Sequence, residues 1–304
     1  PPNAVDACDA TLTATAVRSE GVLLDSPYPT GVTTLTWTVA DDCGNTATAT
    51  QEVQVLPLST VVAEVEVQGL KGAGPHTRCI EFLLTPAGGG TPVVVFQQIG
   101  FPVSGSAVVE FTVPCGAYSC IAARDTRHSL MRRDDDDFRV VGSEYRASFR
   151  RGGAAGAWDP RFDALPGGNF DGDGYVDVID FCLFIEEFGV AVGFDPGCGG
   201  PTGTAHADES GDGLVGEEDF LSLSKNFLAA AERDCLGRLP SRRLTGLGPL
   251  WTNRSLTARA GPVTRLEVRD LEAFGLARFK RADVNRDLVI DYRDILAFAG
   301  GARP

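Results

Sequence analysis

The stretch Asn169-Phe170-Asp171-Gly172-Asp173-Gly174-Tyr175-Val176-Asp177-Val178-Ile179-Asp180 sets oxygen-bearing side chains at positions 1, 3, 5, 9 and 12 of a twelve-residue loop. A hard divalent cation wants six to eight oxygens at short range, and a chain delivers them by curling around it with a sharp turn at position 6. Here Asn169, Asp171, Asp173, Asp177 and Asp180 offer side chains, and Tyr175 at position 7 offers its backbone carbonyl. The spacing recurs in Asp208, Ser210, Asp212, Leu214 and Asp219, where Gly216 leaves position 9 to water. It recurs again in Asp283, Asn285, Asp287, Val289, Asp291 and Asp294. Three such loops predict about three calcium ions, and the second loop, with the fewest carboxylates, should bind most weakly.

The residues between the ligands carry further information. Gly174 and Gly213 supply the turn at position 6, but the third loop has Leu288 there. A leucine at positive φ is sterically unfavourable, so that loop must find another path or accept strain. Position 8 is apolar each time, at Val176, Val215 and Ile290. After the closing Asp come amphipathic runs at helical spacing, Phe181, Phe184, Phe188 and then Phe220, Leu223, Phe227. No strong incoming helix precedes the first loop. Leu266 to Phe279 reads as a helix leading into the third, which has no evident internal partner.

This loop-plus-exit-helix pattern resembles the dockerin-type calcium repeat, in which Asp closes the loop and the incoming helix is missing. The resemblance covers roughly residues 168 to 230, with a more divergent copy at 283 to 299. A Gly/Pro-rich insert carrying Cys198 separates the first two loops, and a third loop is extra. The resemblance implies a mainly α, EF-hand-like calcium region, and a cohesin-like protein as one possible partner.

Upstream, the chain alternates in the β manner. Val32 to Val39 and Thr46 to Val55 read as strands around the turn Asp41-Asp42-Cys43-Gly44-Asn45. Pro29-Thr30-Gly31-Val32-Thr33-Thr34 and Gly44-Asn45-Thr46-Ala47-Thr48 are similar to the second part of a hyalin-type repeat, an immunoglobulin-like sandwich. That resemblance implies a Cys8 to Cys43 staple and opening strands that this chain lacks. A Thr-rich strand pair from another sandwich family would alternate in the same way. Six more strands follow: Val62 to Val67, Cys79 to Leu84, Val93 to Gln98, Val108 to Val113, Tyr118 to Ala123 and Tyr145 to Phe149. Phe111-Thr112-Val113-Pro114-Cys115-Gly116-Ala117-Tyr118 resembles an edge of collagen-adhesin B-type and transthyretin-like sandwiches. The run Asp134 to Asp137 reads as a solvated, self-repelling loop. Asn253-Arg254-Ser255 has the form of a glycosylation sequon.

The predicted fold class is thus multidomain, with two N-terminal all-β sandwich modules followed by a mainly α calcium-loop region. The expected boundaries are 1–57, 61–150, 160–236 and 237–304, with a Gly-rich hinge at 152–156.

A formal charge of −14 without any basic stripe argues against a nucleic-acid partner. No apolar run reaches membrane-spanning length. Eight cysteines and a single methionine suggest an oxidising, extracellular setting. With Cys8 and Cys43 paired, the second module keeps three cysteines (Cys79, Cys115, Cys120) and the calcium region three (Cys182, Cys198, Cys235). Full pairing therefore requires a bond between them. No nucleophile elbow, phosphate-cradling loop or paired-His metal site is present, so the expectation is a protein that is not an enzyme. The two functional readings are a secreted structural or adhesive protein that self-associates into a filament or layer, and a docking module for a cohesin-like receptor.

Overall fold

The computed structural model describes residues 12–70, 76–102, 104–134, 138–150, 164–192, 198, 207–237, 261–273 and 276–304. Strand predominates over helix, and the chain divides into two compact units, Pro1–Ser59 and Thr60–Pro304. The Gly-rich hinge, the sequon, Cys8 and Asp135 to Asp137 lie outside the described residues.

In the first unit, β1 (Ala14–Arg18), β2 (Gly31–Ala40) and β3 (Thr46–Val55) form an antiparallel sheet in that order. The β2–β3 hairpin pairs from Gly31↔Val55 to Ala40↔Thr46. Its turn is the expected one, with the Asp41 carboxylate accepting from the amides of Cys43 (3.0 Å) and Asn45 (2.7 Å). β1 corrects in part the expectation that opening strands are missing, since Ala14-Thr15-Ala16-Val17 alternates with side chains too small to stand out in the sequence; among the described residues the unit is this one sheet rather than the sandwich expected. Cys43 is exposed in the hairpin turn.

The second unit begins with a sandwich of two four-stranded sheets. One has the order β10-β11-β4-β7, built from β4 (Leu58–Glu66), β7 (Ser106–Pro114), β10 (Arg139–Val141) and β11 (Glu144–Phe149). The other has the order β6-β5-β8-β9, from β5 (His76–Pro86), β6 (Val93–Phe101), β8 (Tyr118–Asp125) and β9 (Arg132–Asp134). Alternate side chains meet between them, including Val61, Ala63 and Val65 from β4, Ile80, Phe82 and Leu84 from β5, and Ala147 and Phe149 from β11. Phe82 stacks on Phe111 at 4.7 Å. The acidic run is corrected in part, because Asp134 is buried at the end of β9 and accepts from the Ser148 amide at 2.8 Å.

The outer face of the two central strands of the second sheet is also buried. Along β5 and β8 the residues opposite the sandwich core, Cys79, Glu81, Leu83, Cys120, Ala122 and Arg124, are covered too. Leu83 and Ala122 join a second core with the helices α1 (Val178–Glu187) and α2 (Glu217–Asn226). Glu81 and Arg124 answer each other at 2.8 Å, as a buried charge pair must. The loop-and-helix region is therefore a third layer on the sandwich. Two disulfides join the layers, Cys79–Cys198 and Cys120–Cys235. Cys115, exposed, and Cys182, buried in α1, remain thiols, so pairing is less complete than expected.

The stretch from Leu266 to Phe279 is not one helix. It splits into β12 (Arg265–Glu267), the short α3 (Val268–Ala273) and a 3₁₀ turn at Ala277–Ala282. β12 pairs with β13 (Val289–Asp291), Leu266 opposite Ile290, and that pairing claims the residues that would have opened the helix. α4 (Tyr292–Ala299) closes the layer. Its Phe298 is the hub of an aromatic cluster, with ring centroids 4.8 Å from Phe220, 5.1 Å from Phe188 and 5.3 Å from Phe184. Phe227 stacks instead on Tyr292 at 5.4 Å.

Each disulfide closes a long loop, so each should stabilise the unit by about 2–4 kcal/mol. Replacing Cys120 and Cys235 together with Ala is expected to lower the urea midpoint of the second unit. An unchanged midpoint would show that the third layer is held without the bond.

Candidate metal centre

All three loops share one hydrogen-bond scaffold, and the closing Asp organises it. The Asp180 carboxylate accepts from the amides of Asp171 at position 3 (3.1 Å) and Asp177 at position 9 (2.8 Å). Asp219 does the same with Ser210 and Gly216, both at 2.7 Å, and Asp294 with Asn285 (3.1 Å) and Asp291 (2.9 Å). The position-5 side chains Asp173, Asp212 and Asp287 each accept from the position-7 amide of Tyr175, Leu214 and Val289. That bond ties down the amide side of the residue whose carbonyl is the expected ligand. In the second and third loops, the position-1 carboxylates Asp208 and Asp283 bind two further loop amides each.

The backbone repeats as closely as the hydrogen bonds. Position 4 is left-handed in each loop, at Gly172 (φ 69°), Gly211 (75°) and Arg286 (63°), and so is position 6, at Gly174 (90°), Gly213 (91°) and Leu288 (70°). The third loop accepts the strain rather than taking another path. A fixed ring of oxygens leaves it no other curvature, and Leu288 is 67% exposed, so nothing crowds its side chain. The requirement at position 4 was missed in the sequence, although Gly172 and Gly211 carry its signal.

Each exit helix starts from its loop. Asp177 is the N-cap of α1, accepting from Ile179 at 2.7 Å, and Asp180 completes the capping box from the third helical position. Asp291 and Asp294 do the same for α4. Gly216 cannot cap with a side chain. Loops one and two also clasp each other. Val176 exchanges backbone bonds with Leu228 (2.7 Å) and Ala229 (3.0 Å) beyond α2, and Val215 with Gly189 (2.9 Å) and Val190 (3.0 Å) beyond α1. The apolar position 8 is thus a two-fold-like strand contact. The third loop uses β12 for the same purpose, which corrects the expectation that it has no internal partner.

Burial grades the loops. Asn169, Asp171, Asp173, Asp177 and Asp180 are buried and Tyr175 is half-buried. In the second loop Asp208, Ser210 and Asp219 are buried, while Asp212 and Leu214 are exposed. In the third, Val289 and Asp294 are buried, Asp283 and Asp291 half-buried, and Asn285 and Asp287 exposed. Arg293 lies 2.9 Å from both Asp287 and Asp291, a cation already resting on two ligand positions.

Loop one is set into the sandwich. Asn169 donates its backbone amide to the His128 carbonyl (3.1 Å) and its side-chain amide to the Ser129 carbonyl (3.3 Å). Its Oδ1, on a side chain 1% exposed, has no hydrogen-bond partner. A buried carbonyl oxygen left so is costly unless something else meets it. Loop two is held by Arg78, which donates to the Glu209 carbonyl at 2.7 Å, and by His76 against Gly211. Sequence reasoning passed over Glu209. It lies buried in a cradle where a Cβ at Gly167 would stand 1.3 Å from its Oε1, and burial pushes its carboxyl well up.

The donor set is all hard oxygen, which suits calcium rather than zinc, and the turns that aim it are formed. Among the described residues, no three His, Cys, Asp or Glu side chains are gathered to grip a metal as they stand. The loop carboxylates are instead drawn onto loop amides. Burial, with the charges of Asp171, Asp177 and Asp173 beside it, pushes the Asp180 carboxyl well above the ordinary range. Burial likewise raises Asp219 and Asp294. No family model, curated protein or solved structure matches this chain.

Two outcomes are expected. Leu288→Gly should stabilise the fold by about 0.5–1 kcal/mol, because it removes a left-handed leucine at the expense of some unfolded-chain entropy. A lower urea midpoint would contradict this. In chelator, the folded chain holds protons on Asp180, Asp219 and Asp294 that the unfolded chain has released above its ordinary value of 3.8. Stability in chelator should therefore rise as pH falls from neutral toward 4, where the unfolded carboxylates also protonate. Thermal melts across that window read the slope, and Asp180→Asn should flatten it.

Proposed function

We propose that this chain is a secreted structural or adhesive protein whose third layer is held by calcium, working in a filament, surface layer or matrix. The observation that carries the reading is the threefold repetition of one oxygen-lined loop, with the same left-handed turns and closing Asp, and with the buried Asn169 Oδ1 turned to no hydrogen-bond donor. Asn169, Asp171, Asp173, Asp177, Asp180 and the Tyr175 carbonyl would hold the first ion. The other two loops supply the matching sets, with the third competing against Arg293. The resemblance to dockerin-type repeats supports the same assignment.

Two disulfides fit an oxidising compartment. Among the described residues, no helix is long and apolar enough to cross a membrane. The docking-module reading is disfavoured by α1, whose residues Val178 to Ile185 are all buried under the sheet, the 3₁₀ turn and α4. A receptor using that helix would first have to strip away part of the same chain. Self-association is the partner reading that accompanies the structural role.

In millimolar calcium the melting temperature should exceed that in EDTA, since an ion bound only by the folded state stabilises it by mass action. Asp173→Ala, in the buried loop, should erase more of that difference than Asp212→Ala, in the exposed one. Equal melting temperatures with and without calcium would overturn the calcium reading. Light scattering in calcium tests the assembly, and a monodisperse monomer at high concentration would overturn the filament.

A further inference from the structure

Between the first and third loops runs a strap, residues 261 to 268, that belongs to neither. It is fastened to loop one at position 9. The Val263 amide donates to Asp177 Oδ2 at 2.6 Å, a buried contact, and the Val263 carbonyl accepts from the Val178 amide at 3.1 Å. Val263 itself is 1% exposed and belongs to the same core as α1. The strap then becomes β12 and pairs with positions 7 to 9 of loop three, Arg265↔Asp291, Leu266↔Ile290 and Glu267↔Val289. One residue further, the Val268 amide donates to the carbonyl of Leu288 at 3.1 Å. Six residues thus touch a ligand carboxylate of one loop and the turning backbone of the other.

We propose that this strap couples the two sites, so that a divalent cation in loop one raises the affinity of loop three, and the reverse. The proposal rests on the calcium reading above. Its physical basis is shared ordering. Asp177 is both a ligand position and the acceptor for Val263, with its other oxygen spent on capping α1. An ion that fixes Asp177 fixes the near end of the strap, and the ordering of β12 is then no longer charged to the binding of the second ion. The third loop depends on this more than the others, because loops one and two brace each other while loop three is braced at position 8 by β12. Its left-handed Leu288 and its half-exposed carboxylates leave little reserve with which to order itself alone. Linkage requires the effect to be mutual.

The test is a calcium titration of the full chain read by hydrogen exchange and mass spectrometry, which reports peptides from loop one and loop three separately. In the unaltered chain both become protected. Asp171→Ala, which disables loop one, should shift the protection midpoint of the 285–299 peptide to higher calcium by at least about fivefold, the lower end of usual coupling. Val263→Pro removes the donating amide and should produce the same shift in loop three, with loop one also moved to higher calcium, as mutual coupling requires. Val263→Ala keeps the amide and trims only the side chain, so it should leave the coupling in place and separates lost packing from the lost bond. If Asp171→Ala and Val263→Pro leave the loop-three midpoint unmoved, the coupling is overturned and the calcium reading stands. If calcium protects neither peptide in the unaltered chain, the calcium reading falls, and the coupling with it.

Discussion

The closing aspartate of each loop is the contact on which the rest of the third layer depends. A carboxylate that accepts from the amides at positions 3 and 9 draws both halves of the loop together and leaves the chain pointed into a helix. The helix start, the placement of Phe181 and Phe184 against Phe298, and the cover over Leu83 and Ala122 all follow from that one anchor. The same anchor concentrates negative charge. Loop one carries four carboxylates in a buried setting, and burial together with its neighbours' charges pushes the Asp180 carboxyl well above the ordinary range. A site of this kind is self-consistent only when a proton or a cation balances it.

Much of this was legible in the sequence, because ligand spacing and β alternation are both local. The six long strands of the sandwich and the β2–β3 hairpin are found where the residue pattern put them, and left-handed turns stand at positions 4 and 6 of each of the three loop stretches. The failures are non-local. β5 reads as a strand, yet nothing in His76 to Pro86 says that both of its faces are covered; that depends on a layer supplied about a hundred residues later. The spacing of Leu266 and Leu271 suits a helix as well as a strand, and the strand identity of Arg265 to Glu267 is decided by the partner Val289 to Asp291. Three-residue strands carry too little periodicity to announce themselves, which is also why β9 and β10 were missed.

Leu288 is the informative exception. Its residue type argued against a left-handed turn, and the turn formed anyway with φ of 70°, because Asp283, Asp287 and Asp294 together hold the loop amides to one curvature. Local propensity yields when several neighbouring contacts agree. The third loop is the more divergent copy for this reason, with strain at positions 4 and 6 and an arginine resting on its carboxylates.

The two disulfides have a mechanical consequence. Cys79 and Cys120 sit on neighbouring strands, and their partners lie in the opposite layer at chain separations of 119 and 115 residues. Under tension applied at the ends, the shortest covalent route from Cys79 runs straight across to Cys198. The 119 residues of separation it bypasses, roughly 400 Å of extended chain at about 3.4 Å per residue, can never be paid out. The stretch between Cys79 and Cys198 therefore cannot lengthen while the bond holds, and a pull on the second unit can draw out only the residues outside it.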